Sequence, residues 1–407
     1  MMTYTESYHT LKSIFSTSQK DKTYNGTEIH EFPFISSSCG ILPGNPDHFC
    51  EKHHQHLSTS FSFYNDVGTI RDDVHIKDIE VKENQAFNYN IIRPAGEGKC
   101  RKVIFLFHGF NEKDWTKYLP WAYALCSGTQ SAVVLFPIAF HMQRAPKYWS
   151  SKREMFRLSE ERRKRFPHII HSTLSNVAIS MRLHSMPQRF IWSGLQTYYD
   201  MIRFIEECRQ GRHPDIDLNF EFNIFAYSIG GFLAQILKLT NFKGYFDDTK
   251  VCLFCGGAAF NRLSPVSKFI LDSEANVALY SFLVEHFDKM LDQDHLLHHY
   301  IRDDHPEGRV FYTMLDYRRS RSFREELLKK YEKWFYAISL RKDEVVPSFE
   351  IINTLQGAYR DIRIRVDEVD FDRKYLHENP FPVNVAYSGQ VDEDFALVFD
   401  KACRFLA

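Results

Sequence analysis

Residues Phe222–Phe232 read FNIFAYSIGGF, and the sequence pattern changes abruptly within them. The apolar, β-prone run up to Phe225 predicts a strand that is buried in a sheet. After Gly231, apolar residues recur at the spacing of one helix face, from Phe232 to Leu239. The stretch therefore predicts a strand that passes straight into a helix through a very tight turn around Ser228.

A turn this tight leaves almost no room for side chains two positions before and after its central residue. Those positions are Ala226 and Gly230, and both residues are small. This is the pattern of a nucleophile elbow, in which a strained turn lifts a serine hydroxyl clear of the sheet edge. It also places the free N–H groups of the helix N-terminus beneath that oxygen. An ordinary strand–turn–helix with a capping serine fits the same residues, so the decision depends on other parts of the chain.

Length and charge exclude several classes of protein. The 407 residues suffice for one large domain with insertions or for two smaller domains. Lys and Arg number 51 against 52 Asp and Glu, so we expect neither nucleic acid nor an anionic membrane as partner. The first residues lack the pattern of a secretory signal and the cysteines are scattered, which favours a cytoplasmic protein. The uncharged segment Tyr118–Met142 contains Pro120 and Pro137, so we expect no membrane span.

Residues 1–80 show no clear pattern, and we interpret them as an N-terminal extension of a domain that covers residues 81–407. One stretch of the extension offers possible metal ligands: His48, Cys50, His53, His54 and His56. Their spacing matches no closed zinc pattern, and no second pair of ligands follows at a suitable distance. We therefore expect a polar surface loop there, and neither a metal nor a cofactor. The alternating segment Val74–Pro94, which breaks at Glu83-Asn84, predicts a hairpin of edge strands.

The second part of the chain alternates between strands and helices. Buried strands are predicted at 102–107, 132–136, 251–255, 335–340 and 362–366, besides the one before Ser228. This order is typical of a doubly wound, mostly parallel α/β sheet. Two helix-like segments, at about 140–192 and 260–334, are too long for simple connections. Both leave from the carboxyl ends of strands, where ligands bind in such sheets, and we interpret them as cap insertions.

Two residues could activate the Ser228 hydroxyl, which is a poor nucleophile until a base takes its proton. The base in turn needs an orienting carboxylate. Asp343 follows the strand at 335–340, and His377, the only histidine downstream of Asp343, follows the strand at 362–366. We predict a triad of Ser228, His377 and Asp343, with the adjacent Glu344 as the alternative acid.

An oxyanion formed at Ser228 would need two backbone donors. The N–H of Ile229 is the first, and the N–H of Phe110 in the loop after the strand at 102–107 is the second. We interpret His108 as an organiser of this loop and Gly109 as the residue that lets it turn inward. Substrate contacts are predicted for the loop, the elbow and the start of the first insertion: His108, Gly109, Tyr227, His141, Arg144 and Trp149.

Four segments together resemble the α/β-hydrolase-fold serine hydrolases. They are HGF at 108–110, AYSIG at 226–230, DEVVP at 343–347 and HENP at 377–380, where that family keeps its oxyanion loop, elbow, acid and base. The resemblance extends from about residue 85 to the C-terminus. Ala226 departs from the usual glycine, and the family does not explain the first eighty residues. The run LFPIAFHMQRAP at 135–146 is similar to bacterial hydrolase-like proteins of unassigned function.

The resemblance implies an enzyme, a serine hydrolase of the carboxylesterase or lipase type. It would cleave a carboxylic ester or thioester, and its partner would be a small acyl compound. The 36 Phe and 21 Tyr favour a bulky or apolar acyl group. A peptidase would use the same triad, and a catalytically inactive binding or scaffold protein would keep the same fold, so both alternatives remain.

Overall fold

The computed structural model describes residues 3–17, 22–58, 77–96, 98–383 and 385–407. Within these ranges, a nine-stranded sheet is flanked by helices on both faces. The strands of the described residues, including those of a second sheet, are β1 Lys22–Tyr24, β2 Thr27–Ile35, β3 Asp47–Cys50, β4 Gln55–Ser58, β5 Ala86–Pro94, β6 Cys100–Phe107, β7 Ala132–Leu135, β8 Ile216–Tyr227, β9 Val251–Phe254, β10 Phe335–Leu340 and β11 Arg365–Val369.

The large sheet has the order β1-β2-β5-β7-β6-β8-β9-β10-β11. Strands β6 to β11 run parallel to one another, whereas β1, β2 and β5 pair antiparallel with their neighbours. Strands β3 and β4 form a separate antiparallel pair. The predicted doubly wound, mostly parallel α/β sheet is thus confirmed.

The described residues also form fourteen α-helices. They are α1 Tyr4–Phe15, α2 Lys82–Gln85, α3 Leu119–Thr129, α4 Lys152–Arg165, α5 Val177–Ser185, α6 Arg189–Arg209, α7 Gly230–Thr240, α8 Ser273–Tyr280, α9 Phe287–Leu291, α10 His295–Arg302, α11 Pro306–Leu315, α12 Arg321–Lys330, α13 Ser348–Leu355 and α14 Ser388–Leu406. Among the described residues, no helix combines the length and apolarity needed to cross a membrane.

Strand β6 shows why the sheet is covered on both faces. Val103, Phe105 and Phe107 pack into the core that contains α6 and α7, whereas Ile104 and Leu106 pack into the core that contains α3 and α14. Because successive side chains of a strand point to opposite faces, a strand buried on both sides must be apolar throughout. This requirement made the strand recognisable in the sequence.

The hairpin predicted for Val74–Pro94 is wrong. Residues 74–76 lie outside the described residues, 78–85 form short helical turns, and β5 pairs with β2 from Thr27↔Pro94 to Ile35↔Ala86. Buried polar residues in these turns contact residues that are distant in the sequence. For example, the Asn84 side-chain amide donates to the Gln196 Oε1 at 2.8 Å. One of the two strand partners of β5 therefore comes from before residue 80, so the large sheet includes residues on both sides of the predicted boundary at 80/81.

The last parallel strand begins later than predicted. Strand β11 covers residues 365–369 instead of 362–366. Ile362 and Ile364 are buried, but they pack into the core from the loop that precedes the strand. Their alternation with polar residues reflects burial of a loop rather than pairing in the sheet.

The two long insertions are helical and are joined to each other. The first contains α4, α5 and the start of α6, and the second contains α8 to α12. The Arg162 guanidinium of α4 donates to both carboxylate oxygens of Asp272, at 2.7 and 2.9 Å, and both side chains are buried. Asp272 also caps the N-terminus of α8 by accepting from the Ala275 N–H at 2.9 Å. One carboxylate therefore fixes the start of a helix and the contact between the insertions.

The elbow between β8 and α7 consists of Ser228 and Ile229 alone. Ser228 has a φ of 54°, in the left-handed region that few residues other than glycine adopt. A Cβ atom on Gly230 would lie 2.7 Å from the carbonyl oxygen of Phe107 and 2.9 Å from that of His108. The helix can approach β6 this closely only because residue 230 has no side chain.

We expect Gly230→Ala to lower the free energy of unfolding by about 1–3 kcal/mol, because the backbone oxygens of Phe107 and His108 cannot move away from the added methyl group. Gly231→Ala is the matched control, since its Cβ would lie 3.4 Å from the nearest atom. Alanine favours a helix over glycine by about 0.5–1 kcal/mol, so this variant should be as stable as the parent or more so. Urea unfolding measures both, and equal stability of the two variants would contradict the close packing at Gly230.

Candidate active site

Three side chains predicted from their order in the chain meet at the carboxyl edge of the sheet. The Ser228 Oγ lies 2.7 Å from the Nε2 of His377, and the His377 Nδ1 lies 2.7 Å from the Oδ2 of Asp343. Asp343 and His377 are buried, whereas Ser228 is partly exposed. Because the Asp343 carboxylate faces Nδ1, that nitrogen carries the ring proton and Nε2 can accept the serine proton.

Asp343 is held in place by the turn that follows β10. Its Oδ1 accepts the N–H groups of Val345 and Val346, each at 2.9 Å, which leaves Oδ2 for His377. These bonds offset the cost of burying a carboxylate. The adjacent Glu344 is exposed, so the structure favours Asp343 as the residue that orients the imidazole.

Tyr227 contacts His377 through both its hydroxyl and its ring. The Tyr227 hydroxyl donates to the His377 carbonyl oxygen, and the two rings stack with centroids 5.4 Å apart and planes 17° apart. Burial raises the pKa of the Tyr227 phenol far above its usual range, so the hydroxyl remains a donor. The sequence placed Tyr227 among the substrate contacts, but its hydrogen bond positions the loop that carries the imidazole.

The two predicted oxyanion donors lie beside Ser228. Phe110 and Ile229 line the same cavity as the serine, and within the described chain neither N–H donates to a protein acceptor. The loop that carries Phe110 is fixed by its preceding residue, Gly109, whose N–H donates to the Tyr118 hydroxyl at 2.8 Å. A Cβ on Gly109 would lie 3.0 Å from the Tyr227 ring, so a larger residue would have to displace that ring by a few tenths of an ångström.

His108 is fully buried and is not placed where it could contact a substrate. Its Nε2 accepts the Ile138 N–H at 3.0 Å, and its Nδ1–H donates to the Gly109 carbonyl oxygen at 2.7 Å. Burial lowers the pKa of the His108 imidazole well below its usual range, so the ring is neutral. These bonds join the loop after β6 to the chain after β7, in agreement with an organising role.

The prediction that Arg144 lines the mouth of the site is wrong. Phe140 and Met142 both have positive φ values, so the chain turns sharply just before Arg144. Arg144 is completely buried and donates to the Asp200 carboxylate at 2.8 Å and to the Asn84 Oδ1 at 3.0 Å. Its guanidinium therefore belongs to a buried polar network between α2, the first insertion and α6.

Phe110 lines three cavities. The two remaining predicted substrate contacts, His141 and Trp149, line different ones. The inner cavity lies between Ser228, Ile229, Phe190, Phe260, Leu263 and Leu279. The side cavity lies behind Ile229 and is lined by His141, Ile179 and Phe311. The open entrance is lined by Gly109, Trp149, Leu174, Ser228 and His377.

His141 and Trp149 thus face different spaces. Burial lowers the pKa of the His141 imidazole to about 3, and its Nδ1–H donates to the Ala139 carbonyl oxygen at 2.9 Å. Trp149 forms part of the entrance wall, as its position in the sequence suggested. The apolar lining residues Phe190, Phe260, Leu263 and Leu279 were not predicted singly, although all four lie within the two insertions.

Both insertions are tied to the loops of the site. The Asn111 side-chain amide donates to the carbonyl oxygens of Ser175, at 2.9 Å, and of Phe269, at 2.5 Å. Ser267 of the second insertion donates through its hydroxyl to the Glu378 carboxylate, next to His377. The walls of the cavities are consequently fixed to the residues that carry the reactive groups.

Possible metal ligands converge at two places within the described part of the chain. One group consists of Cys255, Asp343 and His377, and the other of Cys50, His53, His299 and His305. In the first group the imidazole is already hydrogen-bonded to both the carboxylate and Ser228. Burial raises the pKa of the Cys255 thiol far above its usual range, which disfavours the thiolate that a metal would require.

Comparisons with known proteins give a family and a distant likeness of fold. A family model described as "Family of unknown function (DUF6051)" matches residues 2–407. No curated protein matches the sequence significantly.

Several solved structures of esterases are similar in fold at low sequence identity. Carboxyl esterase 2 from the mycorrhizal fungus Tuber melanosporum is 12% identical, with 79% of this chain and 82% of that chain covered and a TM-score of 0.43. A thermostable esterase from Pseudomonas putida ECU1011 is 10% identical, with 100% and 91% covered and a TM-score of 0.43. Esterase Est22 is 11% identical, with 93% and 82% covered and a TM-score of 0.43. A likeness at this level carries no information about substrate or mechanism.

Proposed function

The chain belongs to the DUF6051 family, and we propose that it is a serine hydrolase that cleaves a carboxylic ester or thioester through an acyl-enzyme. The observation that carries this proposal is the hydrogen-bonded chain from Asp343 through His377 to the Ser228 Oγ, with 2.7 Å at each step. The hydroxyl at the end of this chain lies on an apolar cavity that Phe110 and Ile229 also line.

In the proposed reaction, His377 transfers each proton between Ser228, the leaving group and water. His377 Nε2 accepts the proton of Ser228 as Oγ attacks the substrate carbonyl carbon, and the oxyanion is held by the N–H groups of Ile229 and Phe110. The His377 proton then passes to the leaving oxygen or sulfur, and the alcohol or thiol departs. Water attacks the acyl-enzyme with His377 as base, and the carboxylic acid leaves as Ser228 regains its proton.

The positions of the cavities support one orientation of the substrate. His377 must protonate the leaving group, and it lines the open entrance, so the alcohol or thiol lies there. The acyl chain is then directed into the inner cavity on the other side of Ser228. Among the described residues lining that cavity, Ser228 contributes the only polar side chain, which suits an apolar acyl group.

A fluorophosphonate probe tests the nucleophile, because it mimics the tetrahedral intermediate of acyl transfer. We expect the purified protein to be labelled, and Ser228→Ala to abolish labelling because the attacking oxygen is missing. His377→Ala should slow labelling by several orders of magnitude, since residual reactivity remains without the base. Labelling is measured by intact-protein mass spectrometry.

The control for this experiment is Ser150→Ala, which removes an exposed serine from the entrance wall. This variant should be labelled at the parent rate. Labelling of folded Ser228→Ala at the parent rate would show that another residue reacts. A folded parent protein that is never labelled would support the inactive, binding alternative.

The acid is tested by a pair of neighbouring substitutions. Asp343→Asn should lower kcat for a simple ester by about 10³- to 10⁴-fold, because the amide favours the wrong imidazole tautomer. Glu344→Gln should change kcat by less than about tenfold, since the exposed side chain does not face the ring. The reverse ranking would move the assignment to Glu344.

The position of the acyl group is tested by filling one cavity at a time. Leu263→Trp narrows the inner cavity and should lower kcat/KM for long-chain acyl esters much more than for acetate esters of the same alcohol. Leu174→Trp, in the wall of the entrance, should instead discriminate between small and bulky alcohols. An exchange of the two selectivities would mean that the substrate binds in the opposite orientation.

A further inference from the structure

Four side chains from distant parts of the chain converge beside the β3–β4 hairpin. Cys50 ends β3, His53 lies in the turn after it, His299 belongs to α10, and His305 immediately precedes α11. The Cys50 Sγ lies 3.6 Å from the His53 Nδ1 and 3.6 Å from the His305 Nε2. The His299 Nε2 lies 3.2 Å from the His53 Nδ1 and 3.3 Å from the His305 Nε2. All four atoms are within 4.8 Å of one another.

Four of the six separations among these atoms are those of ligands around one tetrahedral zinc ion, and the other two are no longer than 4.8 Å. Zn–N bonds of about 2.0–2.1 Å and a Zn–S bond of about 2.3 Å require nitrogen atoms about 3.3 Å apart and nitrogen–sulfur separations of about 3.6 Å. The observed separations, 3.2 and 3.3 Å between nitrogens and 3.6 Å to the sulfur, agree with both values.

The tautomers of two histidines point to a cation at the centre of this cluster. The His299 Nδ1 faces the Asp303 carboxylate at 3.0 Å, and the His305 Nδ1 faces the Glu307 carboxylate at 2.7 Å. Each Nδ1 therefore carries the ring proton, and each Nε2 presents a lone pair. The two Nε2 atoms face each other at 3.3 Å. A shared proton could bridge this pair, but the His53 Nδ1 and the thiol face the same point.

The same carboxylates form the outer shell that zinc-binding histidines usually have. Glu307 is itself held by the Tyr199 hydroxyl, which donates to Oε1 at 2.5 Å. A hydrogen-bonded carboxylate of this kind fixes the orientation of the imidazole and makes the ligating nitrogen more basic.

We propose that Cys50, His53, His299 and His305 bind one Zn²⁺ in a closed structural site. Four protein ligands complete the tetrahedron and leave no position for a substrate, so the ion is not catalytic. It joins the β3–β4 hairpin to the second insertion. Isolated two-stranded hairpins are only marginally stable in water, and these strands have four residues each. The zinc ion would therefore stabilise the hairpin by attaching it to the second insertion.

The expectation of a polar surface loop at His48–His56 is corrected by this arrangement. His48 and Cys50 are buried, and the His48 Nε2 lies 2.6 Å from the Tyr300 hydroxyl of α10. A second pair of ligands does exist, but it comes about 250 residues later in the chain, far beyond the spacing of closed zinc motifs.

The first test uses the parent protein as purified. We expect one zinc ion per chain by inductively coupled plasma mass spectrometry, a lower Tm after removal with a chelator, and recovery of the Tm with added Zn²⁺. Metal-free protein whose Tm does not respond to Zn²⁺, or a marked preference for a metal other than zinc, would overturn the proposal. This measurement needs no variant.

Variants identify the ligands. Cys50→Ser should weaken zinc binding by more than about 100-fold, since even outer-shell partners contribute about 10–100-fold. In Co²⁺-loaded protein the same change should remove the thiolate charge-transfer absorption. His56→Gln is the matched control from the same hairpin, because His56 is exposed and faces Asp47 instead, and its zinc affinity should equal that of the parent.

If Cys50→Ser does not fold, Glu307→Gln serves as the second variant and should lower zinc affinity by about 10–100-fold. Unchanged affinity in every folded ligand variant would contradict the assignment. Fluorophosphonate labelling at equal rates in Zn²⁺- and Co²⁺-loaded protein is expected of a structural ion. A rate that changed with the metal would place the ion in the reaction and refute the structural role.

Discussion

The arrangement of the site depends on one strained residue, Ser228, at the point where β8 becomes α7. A non-glycine residue in the left-handed region costs about 1–3 kcal/mol, so it persists only where its surroundings fix it. The Ser228 N–H donates to the Phe254 carbonyl oxygen at 3.1 Å, and its own carbonyl oxygen accepts from Gly231 at 2.9 Å. A Cβ on Gly256 would lie 2.8 Å from that carbonyl oxygen. The elbow is thus held by β9 on one side and by the closely packed helix on the other.

From this fixed point, hydrogen bonds extend to the other loops at the carboxyl edge of the sheet. Tyr227, next to the serine, holds the backbone of His377. Lys117 donates to the Glu378 carbonyl oxygen at 3.0 Å and pairs with Glu112, whose carboxylate also accepts from Tyr118. The loop that contains Phe110 and the loop that contains His377 are therefore linked by side chains as well as by the sheet. Such support keeps proposed catalytic groups in one geometry before a substrate arrives.

Structural features could be predicted from the sequence where neighbours in the chain determine a residue's surroundings. Strand β6 had to be apolar because both of its faces are covered, and Gly230 had to be small because β6 passes beside it. The meeting of Ser228, Asp343 and His377 could be predicted because parallel strands bring their carboxyl ends to one edge. Contacts that join distant segments left no such local pattern. Arg144 pairs with Asp200 in the interior, and β5 finds its partner in β2, although neither choice is visible in the nearby residues.

Histidines show most clearly why such contacts decide function. In His377 and His305, a carboxylate holds the proton on Nδ1 and leaves a lone pair on Nε2, yet the first Nε2 faces a serine and the second faces a thiol and another imidazole. In His108 a backbone carbonyl takes the place of the carboxylate, and Nε2 accepts a backbone N–H, so the ring only organises a loop. The partner of Nδ1 sets the tautomer, whereas the group opposite Nε2 sets the chemistry. Because that group comes from a distant segment in each case, the residue type indicated what these rings can do, and only the fold shows which of them does it.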